Sequence, residues 1–141
     1  MNEVRKNGKS VVGVDDMPEN LMLLRAVLEA SGYIFFGCDS GVRCLELLPR
    51  ACANLILLDI QMPVLDGFET CRRLRWWPDL GAIPVAFLTA SKNAEDLRAG
   101  LDAGGNDFIL KPFDVTRLLI RIAHWCAGRA VPPPIHALAC I

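Results

Sequence analysis

The stretch LILLDIQMPVLDG, residues 55–67, decides the fold. Leu55 to Leu58 form an unbroken apolar run that stops at Asp59, and Pro63, Asp66 and Gly67 mark a turn behind it. An apolar run this short, bounded by turn residues, predicts a strand buried on both faces. A carboxylate at the end of such a strand sits at the sheet edge, facing the ligand crevice of an open α/β fold. Taken alone, Asp59 would read as a turn starter, a common place for aspartate. The rest of the chain brings matching chemistry to the same edge.

Before this stretch, Val11 to Val14 reads as a first strand ending at Asp15 and Asp16, with Gly13 marking a close approach by a neighbouring helix. Pro18 suits a helix start, Leu21, Leu24 and Leu28 recur at helical spacing, and Gly32 is a stop. Tyr33 to Cys38 is the second strand. Ser40 caps a helix with an apolar face of Val42, Leu45 and Leu48, which gives way near Pro49 and Ala53. After the stretch, a helix runs from Gly67 or Phe68 to about Arg75, and Trp76 to Gly81 is a loop. Adjacent Trp76 and Trp77 cannot both face the core, and a loop tucked over its own domain is favoured slightly over an exposed contact patch.

Ile83 to Leu88 forms a fourth strand ending at Thr89. Ser91 or Asn93 caps a helix whose expected buried face is Ala94, Leu97 and Leu101. Ala103 to Asn106 is a turn, Asp107 to Leu110 the fifth strand, and Lys111-Pro112 follows. Asp114 caps a last helix with Leu118, Ile122 and Trp125 on one face. Strands alternating with helices over short connections predict an α/β fold: a (βα)5 doubly wound parallel sheet, flavodoxin-like, in strand order 2-1-3-4-5. In that order the crevice opens between strands 1 and 3, which end in Asp15-Asp16 and Asp59.

The 141 residues suffice for one domain, expected over 10–127, with a flexible N-terminus at 1–9 and a proline-containing tail or truncated linker at 128–141. No apolar run approaches the ~20 residues of a membrane helix. The basic start (Arg5, Lys6, Lys9) leads into an apolar run too short for export, so the expected location is cytoplasmic. A net charge of −1 without blocks of like charge gives no nucleic-acid surface. The six cysteines form no C-x-x-C pair and read mostly as small buried hydrophobes. His124 and His136 read as surface or tail residues.

Carboxylates converging on one crevice repel one another, and a divalent cation relieves the conflict. With only oxygen donors supplied the ion is hard, and Mg²⁺, which needs one or two carboxylates and retains waters, fits best. Thr89 adds a hydroxyl and Lys111 a point charge suited to phosphate. Such a set suits phosphoryl transfer to a carboxylate.

Val14-Asp15-Asp16, Leu58-Asp59-Ile60-Gln61-Met62-Pro63-Val64-Leu65-Asp66-Gly67, Leu88-Thr89-Ala90 and Lys111-Pro112-Phe113 together resemble the signature of response-regulator receiver domains, over roughly residues 10–127. The resemblance implies that Asp59 is the phosphoacceptor, taking a phosphoryl group from a histidine kinase or histidine phosphotransfer protein. Asp16 would ligate Mg²⁺ directly, Asp15 mainly through water, and the Gln61 backbone carbonyl would complete the protein's share. Thr89 would hydrogen-bond the phosphoryl group and Lys111 would pair with it. Phe108 would occupy the aromatic switch position, packing inward when Thr89 moves to the phosphate, and Lys111-Pro112 would be cis. The fourth helix, fifth strand and fifth helix would carry the switched surface, with homodimerisation or an output partner in view. An exposed Met22 or Leu23 on the first helix would face the histidine partner.

Some positions depart from the usual receiver pattern. Gly105 stands where Ala is common, implying a looser turn. Phe108 replaces the commoner Tyr and loses its hydroxyl, while Gln61 and Ser91 flank the pocket and bear on hydrolysis. A receiver-like scaffold that is never phosphorylated is the alternative, and it predicts a missing aspartate, threonine or lysine, whereas all are present. A haloacid-dehalogenase phosphatase would want a second acid where Gln61 stands, and a flavin site would be opposed by Asp15-Asp16.

Overall fold

The computed structural model describes residues 8–91 and 93–128. The expected flexible N-terminus and proline tail fall mostly outside these residues, as do Arg5, Lys6, His136 and Cys140. Strand β1 (Ser10–Val14) leads to helix α1 (Pro18–Ala30), then β2 (Ile34–Cys38), α2 (Gly41–Ala51), β3 (Leu55–Asp59), α3 (Gly67–Arg75), β4 (Val85–Thr89), α4 (Ala94–Asp102), β5 (Asp107–Leu110) and α5 (Val115–Cys126). The sheet is parallel throughout and runs β2-β1-β3-β4-β5, the doubly wound order expected.

Strands β1, β3 and β4 are buried along their whole length, as unbroken apolar runs require when both faces are covered. One face packs on α1 and α5 through Leu24, Leu28, Leu118, Ile122 and Trp125. The other packs on α2 and α3 through Cys44, Leu48, Cys71 and Leu74, with Leu97 of α4 half-buried against it. Register aligns the C-terminal ends: Val14 pairs with Leu58, Asp59 with Leu88, and Thr89 with Leu110. Asp15, Asp59, Thr89 and Lys111 therefore emerge along one rim.

Side-chain caps start three of the helices as expected from sequence: Ser40 accepts from Arg43 N, Asn93 from Glu95 N and Asp114 from Arg117 N. Pro18 opens α1. Several expectations need correction. Helix α2 passes through Pro49, which faces solvent, and ends at Cys52 in the left-handed region (φ 49). Its buried stripe is Gly41, Cys44, Leu48 and Ala51, and Val42 is exposed. On α4 the buried residue is Gly100, while Ala94 and Leu101 are exposed. A Cβ at Gly100 would stand 2.7 Å from the Phe108 ring, so an aromatic side chain takes the space below this helix.

Gly13 lies against the ring of Phe35 from β2, with Leu24 of α1 behind it at 3.4 Å from the position of a Cβ. At Gly105 a Cβ would overlap the Phe87 ring, so close packing accounts for the glycine at this turn. The Trp76-Trp77 loop is not tucked over the domain, since Trp76 is 84% exposed and Trp77 is exposed as well. His124 is half-buried, its ring edge-on to Trp125 at 4.8 Å. Met22 and Leu23 on α1 are both exposed. Of the described cysteines, Cys38, Cys44, Cys71 and Cys126 are buried and Cys52 is exposed.

Candidate phosphoacceptor and cation site

Asp15 follows the last residue of β1 and is fully buried. Its Oδ1 accepts the Met17 N–H at 2.9 Å, and its Oδ2 accepts from Asn20 Nδ2 at 3.0 Å. Asp16 beside it is exposed to solvent. Asp59 ends β3 and is buried at the same rim. One carboxylate oxygen from each of Asp15, Asp16 and Asp59 lies within 4.8 Å of the others, and among the described residues this is the one such cluster of potential metal ligands.

Lys111 bridges the cluster, its Nζ 2.9 Å from Asp15 Oδ2 and 3.1 Å from Asp59 Oδ1. Burial first, and then the charge of Asp15, push the Asp59 carboxyl up to about 6, although Lys111 opposes them. Burial pulls the Lys111 ammonium down, but its bonds to the two acids outweigh this and leave it raised. Buried acids with a single shared counter-charge are the setting that a divalent cation relieves. Every donor in the set is an oxygen, so the residues fit a hard ion such as Mg²⁺.

The backbone fixes this geometry beyond the acids. The loop after β3 folds back so that Gly67 N–H bonds to Ile60 O at 2.8 Å. A Cβ at Gly67 would stand 2.8 Å from Ile60 Cα and overlap the Asp59 carbonyl, so glycine is required. Asp66 caps α3 by accepting from Glu69 N. The Lys111-Pro112 bond is cis, as the resemblance implied.

The three acids, Thr89 and Lys111 are thus gathered at one end of the sheet. A cleft of about 270 Å³ opens there, lined by Asp16, Asp59, Gln61, Thr89 and Lys111 among others. A larger cavity of about 480 Å³ lies at the opposite sheet end, against Ile83, Pro84 and Trp125. It contains no acidic cluster, so size does not mark the site here. The Thr89 hydroxyl donates to Ser91 O at 3.2 Å and accepts from Ser91 N at 3.0 Å. Phe108 is turned inward and buried, its ring 5.8 Å from that of Phe87.

Two neighbours of the site had not been anticipated from sequence. Asn20 holds Asp15, and Asp96 of α4 lines the cleft. The signal for Asn20 is its place in the first turn of a helix that starts directly behind the acid pair. Asp96 sits likewise in the first turn of α4, where an acid also suits the helix dipole.

Comparison with known proteins adds to this geometry. The profile of the response regulator receiver domain matches residues 11–123. The chain is 38% identical over 112 residues to the response regulator PleD of Caulobacter vibrioides, an alignment that covers 79% of this chain and 25% of PleD. The chain therefore spans about a quarter of the length of that curated relative. Chemotaxis protein CheY4 of Vibrio cholerae superposes with a TM-score of 0.80 at 26% identity, covering 82% of this chain and 97% of the other. The receiver domain of sensor histidine kinase PA1611 from Pseudomonas aeruginosa superposes with a TM-score of 0.78 at 29% identity, covering 84% and 98%. That structure carries a magnesium ion coordinated in its active-site cleft.

Proposed function

The chain belongs to the response regulator receiver family of two-component signalling, and from that premise we propose that it accepts a phosphoryl group on Asp59 and changes surface in response. The observation that carries this is the Asp59 carboxylate, buried at the end of β3 within reach of both Asp15-Asp16 and the Lys111 ammonium. A carboxylate oxygen of Asp59 forms the new bond to phosphorus as the P–N bond of a donor phosphohistidine breaks. The electron pair leaves with the imidazole nitrogen, which takes up a proton. Lys111 pairs with the incoming phosphoryl oxygens, and Thr89 turns from Ser91 to donate to them. Asp16 and Asp59, with the Gln61 carbonyl, would hold Mg²⁺ directly and Asp15 would hold it through water. The ion, when bound, neutralises charge on the phosphoryl group.

The donor is a histidine kinase or a histidine phosphotransfer protein, met through the exposed Met22 and Leu23 of α1. A phosphoryl group adds roughly −1.5 to −2 charge at the rim. Movement of Thr89 and Lys111 then shifts the balance of packings around Phe108 and the α4–β5–α5 surface. Exposed Leu101, Val115 and Ile120 on that surface suit a homodimer or an output partner. Among the described residues no helix is long and apolar enough to cross a membrane, which accords with action in the cytoplasm.

Incubation with acetyl phosphate and Mg²⁺ followed by intact-mass measurement tests the proposal. One added phosphoryl group, lost in Asp59→Asn, is the expected result. An unmodified mass would favour the alternative of a receiver-like scaffold that binds partners without phosphorylation.

A further inference from the structure

We propose that Asn20 is a positioning residue for the cation site, its side-chain amide holding Asp15 in place while the acid pair takes up a divalent ion. The inference rests on the receiver reading above and deepens its account of the metal. Asp15 is fully buried, and both of its oxygens are engaged. Oδ1 accepts the Met17 N–H at 2.9 Å, which fixes one end of the carboxylate from its own turn. Oδ2 has two partners, Asn20 Nδ2 at 3.0 Å and Lys111 Nζ at 2.9 Å.

These two donors on Oδ2 differ in what they do when charge arrives. Lys111 is shared with Asp59, at 3.1 Å, so a negative group on Asp59 draws the ammonium away from Asp15. An ammonium and a divalent cation also compete for the same acids, because both are positive. The Asn20 amide does neither. It is anchored on the first turn of α1, where its backbone N–H bonds to Met17 O at 3.1 Å, and it donates a hydrogen bond without carrying net charge. A buried carboxylate that loses a hydrogen-bond donor is free to turn away from its position. Asn20 is the donor that keeps Asp15 Oδ2 oriented when Lys111 is called elsewhere, a supporting role of the kind that fixes ligand geometry around metals.

The test is Mg²⁺ titration into the metal-free 141-residue chain by calorimetry, with amide NMR shifts at Asp15 and Asp59 as a second signal and no phosphoryl donor present. Wild type, Asn20→Ala, Asn20→Gln, Lys111→Ala and the Asn20→Ala/Lys111→Ala double variant are compared. Asn20→Ala is expected to weaken Mg²⁺ binding about tenfold, and Asn20→Gln, which retains an amide, to recover part of the loss. Alanine is the better helix former, so denaturation in EDTA should find the α1 fold intact. In the Lys111→Ala background the same Asn20→Ala change should cost more, because Oδ2 then has lost both donors. Equal fold-changes in the two backgrounds, or unchanged affinity in Asn20→Ala, would overturn the inference. A wild type that binds no Mg²⁺ would instead overturn the cation reading on which it stands, so the two failures are distinguishable.

Discussion

Trp125 and Asp107 are joined across the interface between α5 and β5: the indole N–H donates to Asp107 Oδ2 at 2.9 Å, with both residues buried. Arg121, one turn earlier on α5, donates to Asp107 Oδ1 at 2.5 Å, and the Phe108 N–H bonds the same oxygen at 2.8 Å. The first residue of β5 is thereby tied to the helix of the proposed output surface, directly beside the proposed switch residue. Asp107→Ala leaves a guanidinium and an indole N–H without this partner in a buried setting. Breaking a buried pair in this way costs roughly 3–5 kcal/mol. Urea denaturation followed by far-UV circular dichroism should find that loss, and a change below about 1 kcal/mol would count against a central role for the pair.

The rim acids, Thr89 and Lys111 were legible because each follows an apolar run and the parallel order brings those strand ends together. Asp107 and its partners were not, because they stand 14 and 18 residues apart and meet only once α5 has packed on the sheet. Asn20 was hidden because an asparagine near a helix start ordinarily serves the helix itself. The phases of α2 and α4 were misjudged for a common reason. Apolar periodicity counts side chains, whereas these helices place glycines, Gly41 and Gly100, against neighbouring side chains.

Stability without metal should depend on pH through Asp59. Its folded-state value, about 6, lies above the ordinary 3.8. The folded protein therefore holds this proton more tightly than the unfolded chain, and stability falls as pH rises from about 4 to about 6. The full penalty at neutral pH is on the order of 3 kcal/mol. Asp59→Asn in EDTA should be more stable than wild type at pH 7 by about 1–3 kcal/mol, with the advantage vanishing near pH 4. Equal stability of the two proteins at pH 7 would show that Lys111 already balances the buried acid.

Lys111→Ala should separate cation binding from signalling. The ammonium that spans Asp15 and Asp59 occupies the same acids as the ion, so its removal leaves Mg²⁺ affinity unchanged or higher. The charge-assisted contact proposed between Lys111 and the phosphoryl group would be worth about 1.5–3 kcal/mol, which predicts slower uptake from acetyl phosphate by roughly 10- to 100-fold. Phosphorylated variant, once formed, should no longer alter dimerisation or partner binding. Weaker Mg²⁺ binding in this variant would place Lys111 in a supporting role for the acids and not in competition with the ion.

Gly105→Ala tests the aromatic packing beneath α4. Phe87 stands between Phe68, edge-on at 5.3 Å, and Phe108 at 5.8 Å, and its ring lies where a Cβ on Gly105 would go. The backbone at Gly105 is not left-handed, so conformational freedom is not what glycine supplies there. On propensity alone alanine would be neutral or slightly stabilising, through a less flexible unfolded chain. Overpacking of a filled core opposes this, at a typical cost of 1–3 kcal/mol, and the contact with a buried ring flanked on both sides leaves little room to relax. The expected outcome is a lower denaturation midpoint with an unchanged slope, together with a shift of the Phe87 and Phe108 ring signals by NMR. Because Phe108 is already inward with Thr89 bonded to Ser91, moving its neighbour should also change the response of the α4–β5–α5 surface to the proposed phosphorylation. Wild-type stability in Gly105→Ala would mean that Phe87 can retreat and that the turn tolerates an alanine.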